Sequence, residues 1–271
     1  MQGLRSPLTL IIAPAGFDKT TLVASCMASC GIPVAWLSLD KNDNQTGSFL
    51  NYLIAALQWA DHKIGKDAAY LLLGMQQAPD ETVLTSLIND LDATGREIAL
   101  VLDDYQFIRN PDVHEHVAFL LEHFSNVLHL MIATCSSPPL PVARLRARGQ
   151  LVELRAADLR FTASEAAQFL NDVMGLHLDP ESITILEDRT EGWIAGLQMA
   201  ALSMRDRDER KGFIENFSGT NRHILDYLLE EVLASQSAEI QNFLLITSIL
   251  ERLTAPVCNA ILGTVEDWDV G

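Results

Sequence analysis

Basic residues are scarce in this 271-residue chain: 19 Lys and Arg stand against 36 Asp and Glu, for a formal net charge of −17. The phosphates of DNA and RNA, and anionic membrane surfaces, repel such a chain. Direct nucleic-acid contact and membrane binding are therefore not expected of these residues. Cysteine is sparse as well. Cys26, Cys30, Cys135 and Cys258 form no CxxC pair, so neither a zinc knuckle nor a disulfide framework is read, and reduced thiols in a cytoplasmic protein are the expectation. Cys26 and Cys30 are spaced to share one helix face. Low-complexity tracts are missing, which argues against large-scale disorder. Missing too is any apolar run near the roughly 18 residues of a spanning helix. His114 and His116 stand two apart and diverge on a helix, so they suggest no metal site. No Ser-His-Asp or Cys-His arrangement has support either.

What is present is ordinary globular material, 48% hydrophobic and 20% charged, long enough for about two domains. Five short apolar segments read as buried strands: LTLIIA (Leu8 to Ala13), PVAWLSL (Pro33 to Leu39), IALVLD (Ile98 to Asp103), LHLMIAT (Leu128 to Thr134) and LVEL (Leu151 to Leu154). Most carry apolar residues on both faces, the pattern of a parallel sheet covered on both sides. Between them, TTLVASCMAS, SFLNYLIAALQWA, TVLTSLINDL and HEHVAFLLEHF repeat apolar positions at three- and four-residue steps, as amphipathic helices do. Alternating strands and helices predict an α/β domain. After about Leu154 strand signals stop. Helices follow, beginning behind a capping box from Thr162 to Glu165, and an all-helical part is expected. Arg205 to Gly212 mixes both charge signs and reads as a solvated loop. Arg144, Arg146, Arg148, Arg155 and Arg160 read as a mixed surface face. The chain opens almost directly into a strand and closes on TVEDWDVG, which reads as a fragment of a larger protein.

The stretch IIAPAGFDKTTL, Ile11 to Leu22, joins a strand to a helix start. A phosphate-binding loop sits at such a junction, where backbone N–H groups and a helix N-terminus surround an anion. A lysine then reaches the outer phosphates and the next hydroxyl binds Mg²⁺. Lys19 and Thr20 fit those two positions, with Thr21 beside them, Gly16 and Phe17 in the loop and Ala13 at its start. Against the pattern GxxxxGK[ST], Ala13 replaces the first glycine and Asp18 the last. Taken alone, the stretch fits an ordinary turn equally well. A second feature changes the balance: IALVLDDYQF is an apolar strand ending in Asp103 and Asp104. One acid there can stand next to Mg²⁺ and the other can orient a water. Together the two features predict a P-loop NTPase fold, in which the LHLMIAT strand lies between the strands leading to Lys19 and Asp103. Cys135, at the tip of that middle strand, faces the γ-phosphate position and is a poor donor.

The segments APAGFDKTTL, WLSLD, NYLIAAL, VLDDYQFI, LHLMIATCSSPPLPVARLRARGQLVELRAADLRFTASEAAQFL, TEGWIAGLQMAALS and ILDYLLEEVLASQ resemble, in order, the large ATP-binding LuxR-type transcriptional regulators. These belong to the signal-transduction ATPases with numerous domains and include the maltose-regulon activator. The resemblance covers nearly the whole chain. It implies a nucleotide-binding domain at 1–157, a helical domain at 158–212 and a truncated winged-helix-like domain at 213–271, without the sensor and DNA-binding domains of the family. It further implies a switch between a closed ADP form and an open ATP form that self-associates. By motif, Lys19 would bind the β- and γ-phosphates, Thr20 would hold Mg²⁺, Asp103 would hold it indirectly, and Asp104 would orient the water. Gln198, in AGLQMAAL, would lie near the adenine.

Two positions depart from the family's usual GFGKT and ATR: Asp18 replaces a glycine and Cys135 an arginine. If the loop needs positive φ at 18, a non-glycine residue costs about 1–2 kcal/mol. A carboxylate ~4 Å from a phosphate charge adds about 4 kcal/mol of repulsion at an effective dielectric of ~20. The expectation is weak nucleotide binding with slow or absent hydrolysis. The open alternatives are an Asp18 that points to solvent beside a working site, a scaffold that binds no nucleotide, and a stand-alone ATPase.

Overall fold

In the computed structural model, residues 6–74, 78–123, 127–204, 210–217, 222–233, 236–248, 250 and 253–262 are described. The chain forms two compact units, Met1–Thr162 with Glu191–Ala195, and Ala163–Thr190 with Gly196–Gly271.

The first unit is a five-stranded parallel sheet of β1 (Leu8–Ile12), β2 (Val34–Ser38), β3 (Ile98–Asp103), β4 (Leu128–Thr134) and β5 (Leu151–Arg155), in the order β2-β3-β4-β1-β5. All five expected strands form, and β4 lies between β1 and β3, as expected of the P-loop NTPase fold. Its helices are α1 (Lys19–Ala28), α2 (Thr46–Ala60), α3 (Lys66–Leu73), α4 (Asp80–Thr94), α5 (Pro111–Glu122), α6 (Val142–Ala147) and α7 (Ala156–Leu159).

Side chains alternate across a strand, and this sheet buries both sets. Leu8, Leu10, Leu100, Leu102, Leu130 and Ile132 belong to one core with Leu53 and Leu57 of α2, Leu84 and Leu87 of α4, and Val117 and Leu120 of α5. Ile11, Ala99, Val101, Met131 and Ala133 form a second core with Val23 and Met27 of α1. Each fully buried aliphatic side chain is worth about 1.5–3 kcal/mol relative to exposure. The register of these strands is set by the pairs Ile12↔Thr134 and Leu102↔Ile132. A one-residue slip would exchange the two apolar sets.

Three features of the structure differ from what the sequence predicts. Helix α1 stops at Ala28, with Gly31 at φ 74° beyond it. Cys30 is therefore outside the helix and shares no helix face with Cys26. Helix α3 is not predicted: it is only eight residues long, with Ala68 buried and Ala69, Leu71 and Leu72 partly buried against the core. Of the expected solvated loop Arg205–Gly212, residues 205–209 lie outside the described residues, while Arg210–Gly212 open helix α11 (Arg210–Asn216). Arg and Lys favour helix there. The two chain ends also lie outside the described residues.

The second unit is helical among the described residues. It contains α8 (Ala163–Ala167), continued by a π-helical turn at Gln168–Val173, then α9 (Pro180–Thr190) and most of α10 (Ile194–Met204). Helices α11, α12 (Arg222–Tyr227), α13 (Ala238–Thr247) and α14 (Ala255–Leu262) complete it, with a second π-helical turn at Leu228–Leu233. Leu170, Leu186, Leu197, Ala200 and Met204 are among its buried residues. No helix of the described residues is long and apolar enough to cross a membrane.

One buried polar pair braces the end of β3. Tyr105, 1% exposed, bonds its hydroxyl to His114 Nδ1 at 2.8 Å. Burial holds the His114 pKa below the ordinary 6.5, which favours the neutral ring. Because the folded value is depressed, the unfolded chain takes up the proton first as pH falls. The stability due to His114 is complete above pH 6.5 and lost as pH falls through the folded value. Stability should therefore drop between about pH 7.5 and 5.5, and His114→Gln should flatten that part of the drop. Urea unfolding at the two pH values measures both slopes.

Candidate functional site

Strands that run parallel end at one edge, and ligands of open α/β sheets bind beyond that carboxyl edge. Here the ends of β1, β4 and β3 are neighbours. They carry, in turn, the loop 13–18, Cys135, and the pair Asp103 and Asp104.

The loop leaves β1 at Ala13, whose N–H continues the ladder to Thr134 O at 3.2 Å. It then turns by two left-handed residues, Gly16 at φ 78° and Asp18 at φ 50°. Such turns point successive N–H groups toward one concavity. Asp18 is the N-cap of α1, with ψ 34° and no side-chain capping bond. The position therefore has the conformation that glycine adopts freely, and the aspartate is strained by about 1–2 kcal/mol. The Asp18 side chain is exposed. Gly16 and Phe17 are half-buried, and Thr20 and Thr21 are exposed on the first turn of α1.

Lys19 is only 8% exposed. Its Nζ bonds Pro14 O at 3.1 Å and Cys135 Sγ at 3.5 Å. Neither partner is an anion. A buried ammonium held by a carbonyl and a thiol keeps its charge available to an arriving anion. The same contact fixes Cys135 next to Lys19, across more than a hundred residues of sequence.

Asp103, 2% exposed at the end of β3, has its pKa raised. Burial is the main cause and the Asp104 charge adds to it; the Thr20 hydroxyl bond, the Asp104 N–H and the Lys19 charge act in the opposite direction. The Asp104 N–H reaches Asp103 Oδ1 at 3.0 Å. Asp104 is itself left-handed, at φ 57°, a strain that clusters at functional positions.

Two contributors carry no signal that the sequence pattern reveals. Gln106 lies on a 3₁₀ turn, Tyr105–Phe107. Its Nε2 donates to Asp104 Oδ1 at 2.8 Å, and its Oε1 accepts from Cys135 N at 3.1 Å. It ties the tips of β3 and β4 together. Its place two residues past Asp104 is the one hint of this role. The second contributor is the segment Glu191–Ala195: Trp193 Nε1 donates to Ala15 O at 3.1 Å and Ala195 N to Gly16 O at 3.2 Å. Gln198 belongs to the second unit, exposed on α10. The arginine cluster pairs partly with acids on the surface, as Arg146 and Arg155 with Glu153 and Arg160 with Glu191.

The donor set fits a nucleotide with Mg²⁺. A hydroxyl (Thr20) bonded to a buried carboxylate (Asp103) would supply hard oxygen ligands of the kind Mg²⁺ takes alongside phosphate oxygens and water. Clusters of three or more His, Cys, Asp or Glu are absent among the described residues. Mg²⁺ held through one or two carboxylates and the phosphates needs no such cluster.

Comparison with known proteins bears on the family and the fold. Residues 229–270 match the MalT winged helix domain. The HTH-type transcriptional regulator MalT of Serratia proteamaculans is 38% identical over 260 residues, 94% of this chain and 28% of that protein. This chain is homologous to the MalT-type regulators over nearly its whole length. The serine/threonine-protein kinase PknK of Mycobacterium tuberculosis is 34% identical over 264 residues, 96% of this chain and 24% of the kinase. The chain thus spans about a quarter of the length of these curated relatives. A Walker-type ATPase of Pyrococcus abyssi shares the fold, with TM-score 0.52 and 16% identity over 95% of this chain and 83% of that one. The MalT-like chain is a P-loop NTPase sheet with flanking helices followed by a helical region, as the sequence predicts.

In the MalT-like loop, strain at Asp18 is already present in the fold, so it lowers stability rather than ligand affinity. Relief of about 1–2 kcal/mol on Asp18→Gly competes with loss of an acid near a helix N-terminus, about 0.3–1 kcal/mol. The variant should be more stable by up to about 1.7 kcal/mol. Denaturant midpoints of the two proteins measure it, and a less stable variant would contradict the strain argument.

Proposed function

We propose that the chain is the ATP/ADP-binding switch module of a LuxR-type transcriptional regulator, with weak nucleotide affinity and slow or absent hydrolysis. The observation that carries this reading is the buried Lys19 ammonium beside the Thr20–Asp103 pair, at the carboxyl edge of a P-loop sheet. In this reading Lys19 leaves Pro14 O and binds the outer phosphates. Loop N–H groups from 15 to 19 surround the phosphate chain. Thr20 and Asp103 would hold Mg²⁺, which neutralises phosphate charge when bound. Asp104, kept in place by Gln106, orients a water and accepts its proton. Gln198 is proposed near the adenine, and the divisions at 157 and 212 are proposed domain boundaries. Self-association in the ATP form and transcriptional control belong to the same proposal, as do the absence of nucleic-acid contact by this chain and of a membrane role.

Asp18 weakens binding through charge. An exposed carboxylate works against a higher dielectric than the ~20 of a partly buried site, so its repulsion at ~4 Å lies between about 1 and 4 kcal/mol. That corresponds to roughly fivefold to a thousandfold in affinity. Cys135 provides a weak donor where an arginine would provide a charged fork, so discrimination between ATP and ADP should be small. These two residues also support a second reading, a scaffold that self-associates without nucleotide.

Calorimetry with Mg-ADP and Mg-ATP separates the readings. The switch module should bind both with similar, weak affinity, and Lys19→Ala should lose at least about tenfold. Asp18→Gly combined with Cys135→Arg should strengthen Mg-ATP binding more than Mg-ADP binding. Wild-type protein that shows no heat with either nucleotide at millimolar concentration would leave the scaffold.

A further inference from the structure

The nucleotide-binding reading accounts for the inner, N–H side of the loop and leaves its outer side unexplained. On that outer side the carbonyls of Ala15 and Gly16 do not face water alone. Ala15 O accepts from the indole of Trp193 at 3.1 Å, and Gly16 O accepts from the N–H of Ala195 at 3.2 Å. Two consecutive carbonyls of one short loop are thus fixed by two residues of one short segment, 178 positions away at the indole contact. A peptide unit is planar, so fixing a carbonyl outward fixes the N–H of the next residue in the opposite direction. The bonds on Ala15 O and Gly16 O therefore aim the N–H groups of Gly16 and Phe17 inward.

The segment is itself rigidly held. Glu191 and Gly192 are both left-handed, at φ 50° and 68°. Phe161 N donates to Gly192 O at 2.9 Å, and a Cβ at Gly192 would lie 2.5 Å from Phe161 O. Arg160 pairs with Glu191 at 3.0 Å. Residues 160–161 thus seat the segment, the segment seats the loop, and the chain then enters α10. All of these residues lie in the first unit.

We propose that Trp193 is a positioning residue for the phosphate loop: its indole N–H holds the loop in the curl that receives a nucleoside di- or triphosphate. The function of the curl rests on the nucleotide-binding reading above, whereas the positioning itself is testable without ligand. Two variants remove the donor. Trp193→Phe keeps an aromatic ring. Substitution of Trp193 by benzothienylalanine replaces the N–H with sulfur and keeps the shape, so a folding defect in the first does not end the test.

Backbone hydrogen exchange of the ligand-free protein is the first readout. In both variants the amides that tether the loop, Ala195 N–H on Gly16 O at 3.2 Å and Leu22 N–H on Asp18 O at 2.9 Å, should exchange about fivefold faster, the loss of one ordinary hydrogen bond, while those of β3 and β4 stay at wild-type rates. Mg-ADP binding is the second, with an expected weakening of about fivefold in the benzothienylalanine protein. Unchanged loop exchange in that protein overturns the proposal. So does uniform acceleration throughout the sheet, which would mark a purely structural role, and so does unchanged Mg-ADP affinity where the wild type binds. If the wild type binds no Mg-ADP, the nucleotide reading fails, and loop exchange still decides the role of Trp193.

Discussion

Parallel pairing is the constraint from which the rest follows. Each strand must return to the same starting edge through a crossover, so every strand leaves the sheet at the same opposite edge. The order β2-β3-β4-β1-β5 makes β4 the neighbour of both β1 and β3. That order alone brings together residues as distant in sequence as Lys19, Asp103 and Cys135. Two cores hold the order in place, because β1, β3 and β4 are buried on both sides and none of them can slip by one residue without moving its larger set of side chains to the wrong layer.

The site is defined as much by what its charges lack as by what they contact. Lys19 is buried with neutral partners, and Asp103 is buried with its pKa raised. The Lys19 charge favours ionised Asp103, but burial outweighs it. An anion with a divalent cation would satisfy both at once. Structural ion pairs in a core resolve such costs internally; here the resolution is only partial, at the same edge as two left-handed aspartates.

The sheet is legible because buried parallel strands are written as unbroken apolar runs, and IALVLD and LHLMIAT have ends that agree with the structure to the residue. The strand-end acids are legible because a carboxylate that closes an apolar run is costly to bury without a partner, so its presence there points to one. The left-handed turn at Asp18 follows from one substituted glycine. Gln106 and Trp193 are not legible, since each acts through a hydrogen bond to a backbone group far away in sequence, and such bonds leave no periodicity. Helix α3 is lost for a different reason: at eight residues it spans barely two turns, too short for a period to be read. Cys30 falls on α1 by spacing alone, which does not register where a helix ends.

The left-handed backbone at residue 18 also has a genetic consequence. Every aspartate codon becomes a glycine codon by one transition at its second base, and every cysteine codon becomes an arginine codon by one transition at its first. Since Asp18 already occupies the conformation that glycine prefers, that change requires no rearrangement of the loop. A gene carrying this loop is therefore two point mutations from a loop that reads GFGKT and a strand end that reads ATR, and the first would be accepted by a backbone that has kept the place for it.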